Sequence, residues 1–123
     1  MRLLNDEPGA QEVADILEGD GAVALPFMVL MEVRYVLLRG LSSDRVDLVV
    51  TALRASGADI PESDPAWGTL AAEVKSRGGL SLADAWIAAL ALRRRAVLVH
   101  RDPEFEPVPA LRQQWLGPSR TPQ

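Results

Sequence analysis

Three carboxylates from distant parts of the chain have the chemistry of a metal site: Glu32, Asp84 and Asp102. The chain contains no cysteine and only one histidine, His100, so thiolate sites and sites that need two imidazoles are excluded. Oxygen ligands alone favour a hard cation such as Mg²⁺ or Mn²⁺ over Zn²⁺. Such ions commonly activate a water molecule and bridge phosphate oxygens, so the three acids predict phosphate chemistry.

Asp84 stands in the stretch LSLADAWIAA, residues 80–89, among side chains that are mostly apolar. Ser81 and Asp84 fit a capping box, in which a serine and an acid three residues later satisfy free N–H groups at a helix start. A metal ligand would equally explain a carboxylate in this position. The residues alone leave both interpretations open.

Glu32 is surrounded by apolar neighbours at helical spacing. The side chains one turn away on either side are Met28, Val29, Tyr35 and Val36, and none of them is basic. A carboxylate within an apolar stripe needs a partner from elsewhere, either an ion or a basic side chain. The pattern around Glu32 therefore favours a functional role.

Asp102 precedes Pro103, and this dipeptide usually begins a turn, which is its structural alternative to ligation. His100, two residues earlier, could serve as a general base. A lone histidine at the end of a strand is more often structural, and we assign it no catalytic role.

Strands and helices alternate along the chain. The segments 22–25 and 96–100 are apolar strands, and 58–60 is strand-like. Helices are predicted at 8–17, 27–40, 42–57, 65–77, 81–94 and, as a short last one, within 109–116. Uniformly apolar strands are typical of a parallel sheet covered on both faces.

The connection lengths bring the three acids together. Asp102 follows the strand 96–100 directly, so it lies at the carboxyl edge of the sheet, where ligands of open α/β folds bind. The helices that carry Asp84 and Glu32 must both descend from that same edge. We therefore expect the three carboxylates to converge on one rim.

Three segments resemble a known family, in the right order and over nearly the whole chain. LSLADAWIAALALRRRAVLVHRDPEFEPV, residues 80–108, resembles the closing half of PIN domains, above all VapC-type toxins of bacterial toxin–antitoxin pairs. MEVRYVLLRG, residues 31–40, resembles their glutamate helix, and LLNDEPGAQEVADIL, residues 3–17, resembles the helix that follows their first strand.

The resemblance implies an α/β, PIN-like three-layer fold with a small parallel sheet flanked by helices. It implies a single domain over residues 1–116, followed by a flexible tail at 117–123. The family's central first strand and its aspartate have no counterpart here, because residues 1–4 match the segment beyond them and Asp6 lies too far along. Either the start is internal to a longer product, or the chain lacks a strand and a principal metal ligand. In the second case we expect an open slot between the strands 22–25 and 96–100.

The resemblance also implies a function. The chain would be a Mg²⁺- or Mn²⁺-dependent endoribonuclease, the toxin of a type II toxin–antitoxin pair, with Glu32, Asp84 and Asp102 as metal ligands and catalytic acids. Its expected partners are an RNA substrate, a cognate antitoxin and a second copy of the chain. The basic residues proposed to steer RNA are Arg34, Arg39, Arg93 and Arg101.

Two alternatives stay open. One is a non-catalytic, degenerate PIN-like module that binds an antitoxin or RNA, and the other is a metal-free α/β domain with scattered acids.

The net charge of −4 creates no overall basic field for nucleic acid. No apolar run approaches the ~18 residues of a membrane span, so we expect a cytoplasmic protein without membrane contact.

Overall fold

The computed structural model describes residues 2–4, 15, 19 and 21–116, with the backbone alone at 2–4. Apart from Asp15, the predicted helix at 8–17 lies outside the described residues, as does the predicted tail at 117–123.

The sheet consists of short parallel strands. They are β1 (Arg2–Leu4), β2 (Val23–Ala24), β3 (Val97–His100) and β4 (Gln113–Trp115), in the order β2-β1-β3-β4. Ala24, Leu98 and Val99 are fully buried, as expected for strands of a covered sheet. The predicted α/β architecture with a small parallel sheet is confirmed.

The predicted open slot is filled, so the expectation of a missing strand is wrong. Arg2 lies in register with Val23 on one side and Val97 on the other, which places β1 between β2 and β3. An apolar segment in this position supplies the backbone hydrogen bonds that two unpaired strand edges would otherwise lack. Asn5 and Asp6, which follow β1, lie outside the described residues.

The described helices flank this sheet, and most of their bounds agree with the sequence. They are α1 (Phe27–Leu37), α2 (Ser43–Arg54), α3 (Pro65–Ser76) and α4 (Leu82–Arg94). α1 ends at Leu37 rather than at Gly40. None of the helices in the described ranges is long and apolar enough to cross a membrane.

The segment 109–116 is not the short helix that its sequence predicted. Gln113–Trp115 forms β4, whose residues pair in parallel with Leu98, Val99 and His100. Ala110 adopts a positive φ of 64°, a conformation that a helix cannot contain. Pairing with β3 overrides the local propensity, because it satisfies backbone groups along an otherwise open sheet edge. The strand-like segment 58–60 contributes one parallel bridge, between Asp59 and Ala24.

An aromatic cluster joins α1, α3 and α4. The rings of Phe27, Trp67 and Trp86 meet edge to face, with centroids 5.0–6.2 Å apart. The Trp67 indole N–H donates to the Trp86 carbonyl at 2.8 Å. Gly68 allows this close approach, since a Cβ there would lie 3.3 Å from the Trp86 ring. The cluster fixes α4, and with it Asp84, against α3.

Candidate metal centre

Asp84 lies in the first turn of α4, at a helix start that the sequence defines. Gly78 and Gly79 both adopt positive φ values, 85° and 88°, and so turn the chain from α3 toward α4. Ser81 is the N-cap residue, and its hydroxyl accepts a hydrogen bond from the Asp84 N–H at 3.2 Å. The predicted serine cap is thus present, and the Asp84 carboxylate itself is half-buried.

Asp102 lies two residues beyond β3, where it caps a short 3₁₀ helix, Pro103–Phe105. Its Oδ1 accepts a hydrogen bond from the Glu104 N–H at 2.9 Å. Phe105 is fully buried and anchors the turn in the core. The turn interpretation of Asp102-Pro103 is therefore correct, and it also fixes the position of Glu104.

The two aspartates meet at the carboxyl edge of the sheet together with Glu104. One carboxylate oxygen from each of Asp84, Asp102 and Glu104 lies within 4.8 Å of the other two. Asp84 and Asp102 are half-buried, whereas Glu104 is exposed. The connection lengths predicted that Asp84 and Asp102 would converge, and the structure places them together. We call these three residues the acid cluster.

The donor set of the acid cluster fits a hard divalent cation. Carboxylate oxygens at this spacing can share one ion, and they offer neither sulfur nor imidazole ligands that would favour zinc or copper. Three carboxylates this close, two of them half-buried, repel one another unless a cation or a proton balances their charge. The identity of the ion and the ligand roles stay predictions.

Glu104 was missed by the sequence reasoning. It stands in the segment RDPEF, which was considered only for Asp102. The available signal was its spacing: an acid two residues after Asp102, on the turn that Asp102 caps, must lie near that carboxylate.

Glu32 does not belong to the acid cluster, which is the group of described acids whose carboxylate oxygens lie within 4.8 Å of one another. It lies half-buried in the second turn of α1, just beyond Met28 and Val29, which are buried. α1 begins directly after β2, so it starts at the same edge of the sheet as the acid cluster. Its role as a ligand stays a prediction.

The electrostatics of the acid cluster act mainly on Asp84. Burial, followed by repulsion from the Asp102 charge, raises the pKa of Asp84 from 3.8 to about 6. Glu104 adds a smaller repulsion, while a hydrogen bond from the Ser81 hydroxyl lowers the pKa and partly opposes these effects. Without a cation, the folded protein therefore binds a proton at Asp84 more readily than the unfolded chain does.

His100 holds the turn that carries two of the acids. It is 1% exposed, and its Nδ1 accepts a hydrogen bond from the Asp102 N–H at 3.1 Å, so its ring proton lies on Nε2. Nε2 contacts the Gln113 side-chain oxygen at 2.8 Å. The Gln113 amide in turn donates to the carbonyls of Phe105 and Glu106, at 3.0 and 3.4 Å. With both ring nitrogens engaged, His100 has a structural role.

Most arginines proposed to steer RNA are committed to other contacts. Arg34 forms an ion pair with Asp47. Arg93 contacts Asp64 at 2.9 Å. The guanidinium group of Arg39 lies 4.7 Å from the centre of the Tyr35 ring. Arg101 is exposed. Arg101 is adjacent to Asp102, so it is the one of the four placed beside the acid cluster by its position in the chain.

Comparisons with known proteins identify the family and the fold. The PIN domain family model matches residues 1–111. No curated protein matches the chain in sequence. Solved structures with the same fold include DNA-bound VapBC from Salmonella typhimurium, at a TM-score of 0.75 and 20% identity, covering 94% of this chain and 97% of that one.

Two further solved structures have comparable TM-scores and identities. VapBC2 from Rickettsia felis, bound to a promoter DNA fragment, has a TM-score of 0.72 and 17% identity, covering 92% of this chain and 96% of that one. A toxin–antitoxin complex from Klebsiella pneumoniae has a TM-score of 0.69 and 20% identity, covering 90% and 95%. At these identities the likeness establishes the fold.

Proposed function

The chain belongs to the PIN domain family, and we propose that it is the toxin of a toxin–antitoxin pair, a Mg²⁺- or Mn²⁺-dependent endoribonuclease. The single observation that carries this proposal is the acid cluster, in which Asp84, Asp102 and Glu104 offer oxygens within 4.8 Å of one another. The family is generally nucleolytic, and a cluster of carboxylates at the carboxyl edge of an open α/β sheet is suited to that chemistry.

Each acid has a distinct part in the proposed site. Asp84 and Asp102, which are half-buried and held by a helix start and a turn, would hold the ion. Glu104, which is exposed, would add a third carboxylate to the ligand set. When bound, the ion supplies an activated water molecule and neutralises charge on the phosphodiester. Glu32 adds its carboxylate from α1, directly or through water.

The proposed protein partner is an antitoxin. The similar structures include a toxin–antitoxin complex, and this chain exposes large apolar side chains on α1 and α2 that suit a protein partner. They are Met31, Tyr35, Leu38 and Leu48, which are 48–71% exposed. We propose that this surface contacts the antitoxin or a second copy of the chain.

RNA cleavage with matched variants tests the proposed function. We expect the wild-type protein to cleave single-stranded RNA with Mg²⁺ or Mn²⁺ and to lose that activity in EDTA. Asp84→Asn should lower kcat by ~10–100-fold or more, because the variant would lose a ligand of the ion, and the loss of an outer partner of such a ligand already has effects of this size. Asp44→Asn is the control, since Asp44 is exposed in the first turn of α2.

The alternative, a non-catalytic PIN-like module, predicts a different result. In that case neither the wild-type protein nor either variant would cleave RNA, and Mn²⁺ would not bind at millimolar concentration. Cleavage that is equal in the wild type and Asp84→Asn would also contradict the proposal, because it would mean that the activity does not come from the acid cluster.

A further inference from the structure

A cavity of about 260 Å³ lies directly beside the acid cluster. It opens between the turn that joins α3 to α4 and the chain that follows the 3₁₀ helix. Glu104 lines this cavity and also belongs to the acid cluster, so the two features are continuous. If an ion at the acid cluster held one group of a ligand, the adjacent group of the same ligand would reach the cavity.

The walls of the cavity are apolar and held in place. Val74 and Leu80 are buried, and Val108 is half-buried on the opposite side. The Lys75 ammonium group donates to the Leu80 carbonyl at 2.8 Å and so closes the turn between the helices. Gly78 and Gly79 line the same cavity, and a Cβ added at either would meet nothing within 4 Å, so open space lies beside this turn.

A basic side chain stands at the rim. Arg77 is the exposed C-cap residue of α3 and lines the same cavity. Three other arginines, Arg34, Arg93 and Arg94, each contact an aspartate. In the part of the chain that the structure describes, no carboxylate oxygen lies within 4.0 Å of Arg77. Its guanidinium group is therefore available for an anionic ligand.

We propose that this cavity is a nucleotide subsite, which takes one unpaired base of single-stranded RNA while Arg77 binds the adjacent phosphate. The inference rests on the proposed nuclease function and names the part of the substrate next to the scissile phosphate. RNA is recognised in single-stranded regions through bases that leave the stack and enter apolar or planar surroundings. The cavity is apolar, with the Arg77 guanidinium group on one side and, on the other, the acid cluster, which would hold a phosphate through its bound cation. This arrangement matches one nucleotide in charge and polarity. An acidic peptide would match Arg77 alone.

Binding of an uncleavable RNA tests the subsite separately from catalysis. The probe is a fluorescein-labelled RNA hexanucleotide with phosphorothioate linkages, which resist metal-assisted hydrolysis, and gel electrophoresis checks that it stays intact. Its binding is measured by fluorescence anisotropy with Mg²⁺ at several salt concentrations. Each phosphate contact to a single strand contributes ~0.7 to the slope of log Kd against log salt. We expect Arg77→Ala to lower that slope by ~0.7, whereas Arg54→Ala, an exposed arginine at the end of α2, should leave it unchanged.

A larger side chain placed in the cavity tests whether the cavity binds a base. Hexamers of A, C, G and U are compared, and we expect the wild-type protein to prefer one of them by about fivefold or more. Val108→Trp should remove the preference while its thermal unfolding stays cooperative. An unchanged slope in Arg77→Ala, or a preference retained in a folded Val108→Trp, would overturn the subsite. Failure of the wild type to cleave ordinary RNA would instead overturn the proposed function, whatever the binding result.

Discussion

A carboxylate oxygen of Asp102 lies within 4.8 Å of one from Asp84, although the two residues come from a strand end and a helix start. The two aspartates belong to two ordinary local motifs, a helix cap and a capped turn. Ser81 caps α4 by accepting from the Asp84 N–H, and the Asp102 carboxylate caps the 3₁₀ helix, so backbone geometry places both residues at this edge. Two like charges in this position store repulsion that a cation or a proton can relieve.

The first prediction concerns the stability of the metal-free protein. The pKa of Asp84 is raised from 3.8 to about 6 in the folded state, so the protonated form favours folding. This contribution is complete below pH 3.8 and is lost as the pH rises through about 6. We expect Asp84→Asn, which cannot ionise, to melt a few degrees higher than the wild type at pH 7 in EDTA.

The difference between the two proteins should shrink as the pH falls from about 6 toward 3.8, because the wild-type carboxyl becomes protonated over this range. Thermal melts monitored by circular dichroism measure it, with Asp44→Asn as the control. A difference that is the same at pH 4 and pH 7 would mean that ionisation of Asp84 does not destabilise the fold.

The second prediction concerns the cation. Added Mn²⁺ should raise the melting temperature of the wild type, because a ligand that binds only the folded state stabilises it. The rise should weaken below pH 6, since a proton on Asp84 competes with the ion, with affinity falling roughly tenfold per pH unit at most. Asp84→Asn should lose most of the rise. An equal rise in the wild type and the variant would remove Asp84 from the ligand set.

The third prediction concerns the support of the turn. Gln113→Leu would leave the His100 Nε2–H and the Phe105 carbonyl without the Gln113 hydrogen bonds. An unsatisfied buried polar group costs about 1–3 kcal/mol, so the melting temperature should fall by several degrees. Mn²⁺ affinity should fall as well, because this network holds the turn that carries Asp102 and Glu104.

The control for that experiment is Gln114→Leu, on the same strand but with its side chain on the other face of the sheet. A retained Mn²⁺ affinity in a destabilised Gln113→Leu would show that the network supports the fold without positioning the acids.

The fourth prediction concerns Ser81, which caps α4 and also lowers the pKa of Asp84. Ser81→Ala removes the cap and should cost about 1 kcal/mol of unfolding free energy. It also removes the hydrogen bond that lowers the pKa of Asp84, so that pKa should rise further above its ordinary value. NMR titration of the Asp84 carboxyl measures the shift. A pKa that stays the same or falls would show that Ser81 does not stabilise the carboxylate.

Much of the site could be predicted because it depends on short connections. Asp102 follows β3 directly and α4 must return to that strand, so the proximity of Asp84 and Asp102 follows from chain geometry. The Ser81 cap is a local pattern that operates independently of tertiary structure. These features need no knowledge of how distant segments pack.

The errors concern segments whose structure depends on distant partners. Gln113–Trp115 pairs with β3, and Arg2–Leu4 pairs with both β2 and β3, although neither segment has a strong strand pattern of its own. Three-residue strands carry too little periodicity to identify, and the need to pair open sheet edges decides their conformation. Glu104 is a different case, because its spacing to Asp102 was a local signal and only the burial of Phe105, which anchors the turn, depends on distant partners.

The most direct test of the metal-dependent nuclease account is a crystal structure with Mn²⁺, located by its anomalous scattering. The account predicts one ion at the acid cluster, ~2.1–2.3 Å from oxygens of both Asp84 and Asp102, and no ion there in crystals of Asp84→Asn. An acid cluster without anomalous density at saturating Mn²⁺, or an ion bound elsewhere on the chain, would contradict the account.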